Sequence, residues 1–358
     1  MKKIFTFLLF LNITIVFSQA GAPATPYYNG FNWTLTGTNL KNALATKIIS
    51  THTNFLTYTP GVWNALKNTD LDPSNSNNVF LVYGWENGTD ADVTNDRTRN
   101  KDFNSGNNGD WNREHIFAQS LGNPDLGQFG PGADAHMLRA CDVQRNSNRG
   151  NKLYAAGNGN SGDVGPFWYP GDEWKGDVAR ILMYMYLHYG EQCLPTLVAT
   201  GTTATSDSNM VNLLLEWNSD DPVSQYEDNR NTYLGNPFNT NGQGNRNPFI
   251  DNPYLATVIW GGPIAQNRWP TIFLENPTYD YANSISVYPN PSNDIVNIQS
   301  TITVEEIDII TINGQILQRI KKPIFENNTY SISNLQKGFY FLKLSSTNFT
   351  TTKKVLIN

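Results

Sequence analysis

Histidine, glutamate, asparagine and arginine residues are concentrated in two segments of this sequence. The first segment reads WNREHIFAQSLG at residues 111–122, and the second reads DAHMLRACDVQRNSNRGNKLY at residues 134–154. The chain contains four histidines, and these two segments hold His115 and His136. Histidine is the side chain that ordinarily exchanges a proton near neutral pH, so the choice of a general base is narrow.

Together the two segments contain the groups that phosphodiester hydrolysis requires, namely a base for water, a cation for the phosphate charge and a group that holds the phosphate. His115 can serve as the base. Glu114 can bind the cation if the pair ends a strand, because adjacent side chains then diverge. The side-chain oxygen of Asn146 can complete a Mg²⁺ or Ca²⁺ site. Arg139 and Arg149 can bind a phosphate in a bidentate manner.

Each of these residues also has a purely structural interpretation. A Glu-His pair arises easily by chance, and an isolated histidine is more often a core residue than a catalyst. We expect His52 and His188 to be structural. For His136 we favour a core hydrogen bond, or support of another residue, over a direct catalytic role.

The formal net charge of the chain is −6, and it becomes −8 without Lys2 and Lys3 at the N-terminus. This balance excludes a broadly basic protein that coats nucleic acid. Residues 137–154 nevertheless contain four basic residues and one aspartate, a local net charge of +3. The segment predicts either a basic patch that contacts backbone phosphates or a solvated loop whose charges are balanced elsewhere.

The first 20 residues have the pattern of a secretory signal peptide, with two lysines, an apolar run at residues 4–16 and a small residue, Ala20, at a plausible cleavage point. The run is shorter than the ~20 residues that cross a bilayer, and no later apolar run approaches that length. We therefore expect a protein that leaves the cytoplasm and has no membrane span. Its two cysteines, Cys141 and Cys193, either form one disulfide or are buried thiols.

Three regions of different character must position these residues. Residues 21–269 mix helix and strand signals, residues 270–283 form a linker with proline and asparagine, and residues 284–358 consist of short β-branched and aromatic segments between turns. The last region predicts a separate β-sandwich of about seven strands.

In the mixed region, residues 174–190 give the clearest helical pattern, because apolar residues recur at three- and four-residue spacing and a glycine ends the pattern. We expect a buried scaffold helix, on which Arg180 either reaches a cleft or forms a salt bridge. Residues 40–49 predict a shorter helix. Residues 79–85 and 116–121 are candidates for strands or short elements.

Six ordered blocks resemble the endonuclease I family of secreted and periplasmic nucleases, and they cover roughly residues 40–262. The blocks are WNREH at 111–115, D-x-H-x-L-R at 134–139, N-S-x-R-G-N at 146–151, KGDVAR at 175–180, E-x-x-R-N at 227–231 and QGNRNPFIDNP at 243–253.

The resemblance implies an α+β fold with a ββα-metal core, also called a His-Me finger. It implies that His115 is the general base and that Glu114 and Asn146 bind Mg²⁺, with Ca²⁺ or Mn²⁺ as alternatives. Members of the family cut DNA, and some cut RNA, with little sequence preference. We therefore expect a monomeric endonuclease that contacts backbone phosphates, with DNA as the substrate and RNA as the alternative.

One feature found in some members of the family is absent from this chain. Those members use an arginine after the first strand to hold the product phosphate, but residues 121–132 contain no arginine. Arg139 or Arg149 is expected to take this role, because each adjoins a matched block.

The C-terminal region resembles the sorting domain of type IX secretion substrates. Its landmarks are VYPNP at 287–291, NGQ at 313–315, GFY at 338–340 and KKVLI at 353–357. The resemblance implies export by the type IX machinery, followed by release or attachment at the cell surface. A carbohydrate-binding or adhesive β-module is the alternative for this region.

Two other functions agree with parts of the sequence. A zinc hydrolase can place Glu beside His, but the residue four positions after His115 is Gln119, and the remaining Cys and His residues form no recognisable zinc set. A non-enzymatic surface adhesin that binds polysaccharide would explain the tail and the 12% aromatic content. It would leave the six blocks unexplained.

Overall fold

The computed structural model describes residues 22–273, 285–300, 302–346 and 350–358. The chain forms two compact units, Met1–Phe273 and Leu274–Asn358. The predicted signal peptide at 1–20 and most of the predicted linker at 270–283 lie outside the described residues. The domain boundaries derived from the sequence therefore stay predictions.

The first unit is an α+β structure, as predicted. Its helices are α1 Gly37–Thr51, α2 Trp63–Thr69, α3 Val143–Arg149, α4 Lys175–Tyr189, α5 Asn212–Asp220, α6 Gln225–Leu234, α7 Pro248–Asp251 and α8 Tyr254–Trp260. Its strands are β1 Leu71–Asp72, β2 Asn75–Phe80, β3 Thr98–Asn100, β4 Trp111–His115, β5 Leu138–Asp142, β6 Gly162–Val164, β7 Phe167–Tyr169, β8 Thr203–Ala204 and β9 Asp207–Val211. They form one sheet in the order β1-β2-β3 and the pairs β4-β5, β6-β7 and β8-β9.

Strands β4 and β5 and helix α3 form a ββα unit. The two strands are antiparallel, with Glu114 opposite Arg139. Helix α3 follows β5 directly, because the Asp142 side chain accepts hydrogen bonds from the first backbone N–H groups of the helix. It ends at Gly150, whose φ of 56° suits glycine. The end of β4 therefore lies beside α3.

Helix α4 is the scaffold of this unit and confirms the helix predicted at residues 174–190. Its residues 176–187 are all buried, and it contacts α1, α5 and α7. Burial extends around the whole helix and not along one face, because neighbouring elements pack on several sides. Gly190 ends the helix with a φ of 56°.

Arg180 of α4 forms a buried ion pair and does not reach a cleft. Its Nε donates to Oε1 of Glu227 at 2.6 Å, and its NH2 donates to Oε2 at 2.8 Å. The salt-bridge alternative is therefore the correct one. Arg230, in the same E-x-x-R-N block, donates to Asp70 and to the backbone oxygens of Ala135 and Leu138. These contacts of Arg230 connect α6 to the ββα unit.

The weaker sequence predictions have mixed outcomes. The helix predicted at 40–49 is α1, which is longer at both ends. The strand predicted at 79–85 is confirmed only at its start, since β2 ends at Phe80 and Tyr83 has a positive φ of 73°. Of residues 116–121, only Gln119–Leu121 form a regular element, a 3₁₀ turn.

The second unit is all β, as predicted for a sandwich of about seven strands. Its described strands are β10 Ile285–Tyr288, β11 Val296–Ser300, β12 Glu306–Thr311, β13 Ile316–Lys321, β14 Thr329–Ile332, β15 Gly338–Ser345 and β16 Thr350–Ile357. They form one sheet in the order β10-β11-β14 and a second in the order β13-β12-β15-β16. Every second side chain along β15, such as Leu342 and Leu344, lies in the apolar core.

Two further expectations concern cysteines and membranes. Cys141 and Cys193 are both buried free thiols, so the disulfide alternative is wrong. In the part of the chain that the structure describes, no helix has the length and apolarity that a membrane span needs.

Removing residues 274–358 should leave a folded first unit, because the apolar clusters of the two units share no residue. A chain that ends at Phe273 should keep its helical circular dichroism and unfold cooperatively on heating. The full chain is the control. Loss of the cooperative transition would show that the first unit depends on the second.

Candidate active site

His115 lies half-buried at the end of β4. Its Nε2 is 3.2 Å from the backbone oxygen of Gly132. A carbonyl oxygen only accepts hydrogen bonds, so Nε2 carries the proton and Nδ1 keeps its lone pair. Burial lowers the pKa of His115 to about 4. The positive charges of Arg113 and Arg149 also lower this pKa, whereas the hydrogen bond to Gly132 raises it. The imidazole is therefore neutral near pH 7, and Nδ1 can accept a proton.

Tyr58 stacks on the His115 ring, with the ring centroids 5.6 Å apart and the planes at 29°. Tyr58 begins the π-helical turn Tyr58–Val62, which Thr57 caps by accepting a hydrogen bond from the Gly61 N–H. The 3₁₀ turn Gly130–Ala133, which includes the Gly132 carbonyl, packs against this π-helical turn. The two turns together fix the orientation of the imidazole.

Glu114 is 2% exposed and precedes His115 on β4. The Tyr83 hydroxyl donates to its Oε1 at 2.9 Å, and NH1 of Arg149 lies 3.1 Å from the same oxygen. Burial raises the pKa of Glu114 to about 7, although Arg149 and Tyr83 act in the opposite direction. The His115 backbone also hydrogen-bonds to the carboxylate. Within the described residues both side-chain contacts fall on Oε1, and no side chain contacts Oε2.

The amide of Asn146 on α3 is oriented by two hydrogen bonds. Its Nδ2 donates to Oδ1 of Asn112 at 2.7 Å and to the backbone oxygen of Arg113 at 3.3 Å. With Nδ2 directed at β4, Oδ1 is directed away from these acceptors. Carboxylate and amide oxygens are the donors that Mg²⁺ and Ca²⁺ prefer, so the side-chain oxygens of Glu114 and Asn146 fit such an ion.

Arg149 is enclosed in the protein and does not face a substrate, contrary to the sequence prediction. It is 1% exposed and pairs with Glu114. Its NH1 donates to the His115 backbone oxygen at 2.8 Å, and its NH2 donates to the Ile116 backbone oxygen at 3.0 Å. Its guanidinium also lies over the Tyr154 ring. These contacts make Arg149 a structural residue that joins α3 to the end of β4.

The predicted phosphate role of Arg139 is also wrong. Arg139 is 0% exposed, its NH1 donates to Asp177 at 2.9 Å, and its Nε donates to the Tyr226 hydroxyl at 3.1 Å. Asp70 lies 3.6 Å from its Nε. The guanidinium is balanced by carboxylates inside the protein and has no access to a bound phosphate.

The basic residues of 137–154 consequently do not form an open patch. Besides Arg139 and Arg149, Arg145 donates to the backbone oxygen of Ser161 at 2.9 Å and Lys152 pairs with Asp163 at 2.6 Å. The second interpretation of this segment, in which its charges are balanced elsewhere, is therefore the better one.

A separate buried cluster contains potential metal ligands, His52, Asp134 and His188, whose ligand atoms lie within 4.8 Å of one another. The Asp134 oxygens already accept hydrogen bonds from the side chains of Gln243, Tyr184 and Tyr189 and from the backbone of His136. His52 Nδ1 and His188 Nε2 lie at a hydrogen-bonding distance of 2.7 Å. This cluster fits a structural network that joins the 134–139 block to α4.

Three tyrosines at the site are absent from the sequence-based prediction. Tyr58 stacks on His115, Tyr83 donates to Glu114, and the hydroxyls of Tyr83 and Tyr154 are 2.6 Å apart. Tyr154 is the last residue of the second polar segment, but nothing in the sequence around Tyr58 or Tyr83 indicates a polar role. Their contacts arise only in the folded chain.

Both parts of the chain match known protein families. Residues 36–254 match the family described as Endonuclease I, and residues 286–358 match the secretion system C-terminal sorting domain. The extracellular ribonuclease of Bacillus subtilis (strain 168) is 45% identical over 257 residues, which cover 67% of this chain and 82% of that protein. The extracellular ribonuclease of Bacillus amyloliquefaciens is 45% identical over 237 residues, which cover 63% and 74% of the two chains.

Arg149→Met should destabilise the protein by about 3–5 kcal/mol, because removing one partner of a buried ion pair leaves the Glu114 charge without its partner. The methionine also leaves the backbone oxygens of His115 and Ile116 without their guanidinium donors. Urea unfolding monitored by fluorescence measures the loss. Lys152→Gln, which removes a partly exposed charge near the end of the same helix, should change stability by less than about 1 kcal/mol. Equal stability of the two variants would contradict this role of Arg149.

Proposed function

The chain belongs to the endonuclease I family, and from this membership we propose that it cleaves phosphodiester bonds with His115 as general base and a divalent cation at Glu114 and Asn146. The observation that carries the proposal is a neutral imidazole with a free Nδ1 beside a buried carboxylate. The family makes the chain a nuclease. The finer assignments of residues, metal and substrate are the proposal.

In the proposed reaction His115 removes a proton from water. Nδ1 accepts this proton as the water oxygen attacks phosphorus, and the Gly132 carbonyl accepts the hydrogen bond from Nε2–H throughout. The P–O bond to the leaving sugar oxygen breaks as the new bond forms, and that oxygen takes a proton from solvent water. Tyr58 keeps the ring in place by stacking on it. A pKa below neutrality keeps the base unprotonated before each cycle.

Glu114 and Asn146 would hold the cation, for which Mg²⁺ is proposed and Ca²⁺ or Mn²⁺ are the alternatives. When bound, the cation offsets negative charge on the phosphate and on the leaving oxygen. Tyr83 and Arg149 hold the carboxylate, and Asn112 holds the amide. Neighbouring residues thus orient both proposed ligands.

We infer that the enzyme cuts both DNA and RNA with little sequence preference. The family described as Endonuclease I supports DNA as a substrate, and the two relatives named extracellular ribonucleases support RNA. Contacts to backbone phosphates carry no direct sequence information.

The protein is secreted, as its sorting domain and its extracellular relatives indicate. We propose export by the type IX machinery, followed by release or attachment at the cell surface. We also propose that the enzyme acts as a monomer, because one chain supplies every candidate site residue.

The full chain with Mg²⁺ should degrade plasmid DNA and single-stranded RNA, and EDTA should stop both reactions. His115→Ala should reduce the cleavage rate by roughly 10² to 10⁴-fold, the usual contribution of a positioned general base. Rates are measured under single-turnover conditions, with thermal unfolding as the control for folding. An active and well-folded His115→Ala protein would end the assignment of the base.

Glu114→Gln should weaken Mg²⁺ binding by at least about tenfold, because the site loses its charged ligand while the side-chain shape is kept. Titration calorimetry measures this directly, and high Mg²⁺ should restore part of the activity. Glu173→Gln is the matched control, since Glu173 is a surface glutamate paired with Arg97. Unchanged Mg²⁺ affinity in Glu114→Gln would rule out Glu114 as a ligand.

A further inference from the structure

Arg113 is a cation of the candidate active site that no carboxylate neutralises. It immediately precedes Glu114 on β4 and is half-buried. Within the described residues it forms no ion pair with an N···O distance of 4.0 Å or less. Arg139, Arg149 and Arg180 all have such a partner, with their guanidinium groups enclosed.

Arg113 lies on the same side of β4 as the general base. Side chains alternate along a strand, so Arg113 and His115 share one face and Glu114 lies on the other. Both contact Tyr58: the guanidinium carbon of Arg113 is 3.5 Å from the Tyr58 ring centroid, and the His115 ring is 5.6 Å away. Trp63 contacts the guanidinium at 4.4 Å.

The guanidinium of Arg113 is held in one orientation with donors to spare. NH1 donates to the backbone oxygen of Tyr58 and to the Thr59 hydroxyl. Nε is buried without a partner, and within the described residues NH2 has no hydrogen-bond acceptor either. Arg145 also has no ion pair with any residue that the structure describes, but its Nε and NH2 donate to Ser161 and its guanidinium lies over Trp85. Arg113 is thus the better placed of the two to bind a ligand.

We propose that Arg113 binds a backbone phosphate of the nucleic acid, so that Tyr58, Arg113 and Trp63 form a phosphate subsite beside the scissile bond. The inference rests on the proposed function. It gives Arg113 a phosphate-binding role that differs from the one predicted for Arg139 or Arg149, because its phosphate flanks the one that is cut. NH2 can donate a charge-assisted hydrogen bond to a phosphate oxygen. Because Arg113 shares one face of β4 with His115, the bound phosphate lies on the side of the general base and flanks the phosphate that is attacked.

The test measures how DNA binding depends on salt in the His115→Ala background, with Mg²⁺ and a labelled duplex. Each phosphate contact contributes about 0.9 to the slope of log affinity against log salt on duplex DNA. Arg113→Met keeps an apolar side chain between the two rings but removes the charge, so its slope should be shallower by about 0.9. Arg113→Lys keeps the charge and should retain most of the slope.

Lys41→Gln is the matched control for removal of one positive charge, since Lys41 pairs with Asp207 and lies over Tyr186, away from the site. Its slope should equal that of the parent. With His115 present, Arg113→Met should raise KM roughly tenfold, the equivalent of one charge-assisted hydrogen bond, and change kcat less.

An unchanged salt slope in Arg113→Met would overturn the phosphate subsite. So would an Arg113→Lys protein that binds as poorly as Arg113→Met, because packing on Tyr58 and Trp63 would then be the function of Arg113. If Arg113→Met lowered kcat and left KM unchanged, Arg113 would act on the phosphate that is cut, and the flanking position would be overturned. Failure of the proposed function looks different: the unmodified chain would not cleave, and the His115→Ala protein would not bind DNA at any salt concentration.

Discussion

The buried ion pair between Glu114 and Arg149 determines how the rest of the candidate site is arranged. A carboxylate removed from water is strongly destabilised unless a positive charge and hydrogen bonds accompany it. Arg149 supplies the charge, and the same guanidinium binds the backbone oxygens of His115 and Ile116. One interaction therefore joins the proposed metal ligand, the strand that carries the base and the helix that carries Asn146.

Other buried arginines around the ββα unit also form ion pairs inside the protein. Arg139 pairs with Asp177 of α4, Arg180 pairs with Glu227 of α6, and Arg230 of α6 pairs with Asp70 and binds backbone oxygens near β5. The ion pairs of the KGDVAR and E-x-x-R-N blocks thus connect α4 and α6 to the ββα unit and stabilise it. Positive charge used in this way is unavailable at the surface, which agrees with a nuclease whose net charge is −6. In the proposed function, substrate binding depends on a few local groups, the cation and Arg113 among them.

Much of the fold could be predicted from the sequence, because it follows from short-range patterns. The helical spacing and terminal glycine of residues 174–190 give α4, and the β-branched segments between turns give the seven described strands of the second unit. The prediction for 79–85 was less successful, since the chain turns at Tyr83 with a positive φ. The Tyr83 ring packs on Trp168, which is distant in sequence, and a local pattern does not predict that contact.

For the site, the sequence alone determined which residue types stand together and which family they resemble. It did not determine which arginine faces solvent, because that depends on partners far along the chain. The partners of Arg139 are 38 and 87 residues away, whereas Arg113 contacts a turn 55 residues before it. In the folded chain, Arg139 lies beside the acidic side chains of Asp70 and Asp177, and Arg149 lies beside Glu114. Arg113 instead lies against aromatic rings and keeps hydrogen-bond donors available. The burial and pairing of a charge are long-range properties, and the local pattern of residues does not encode them.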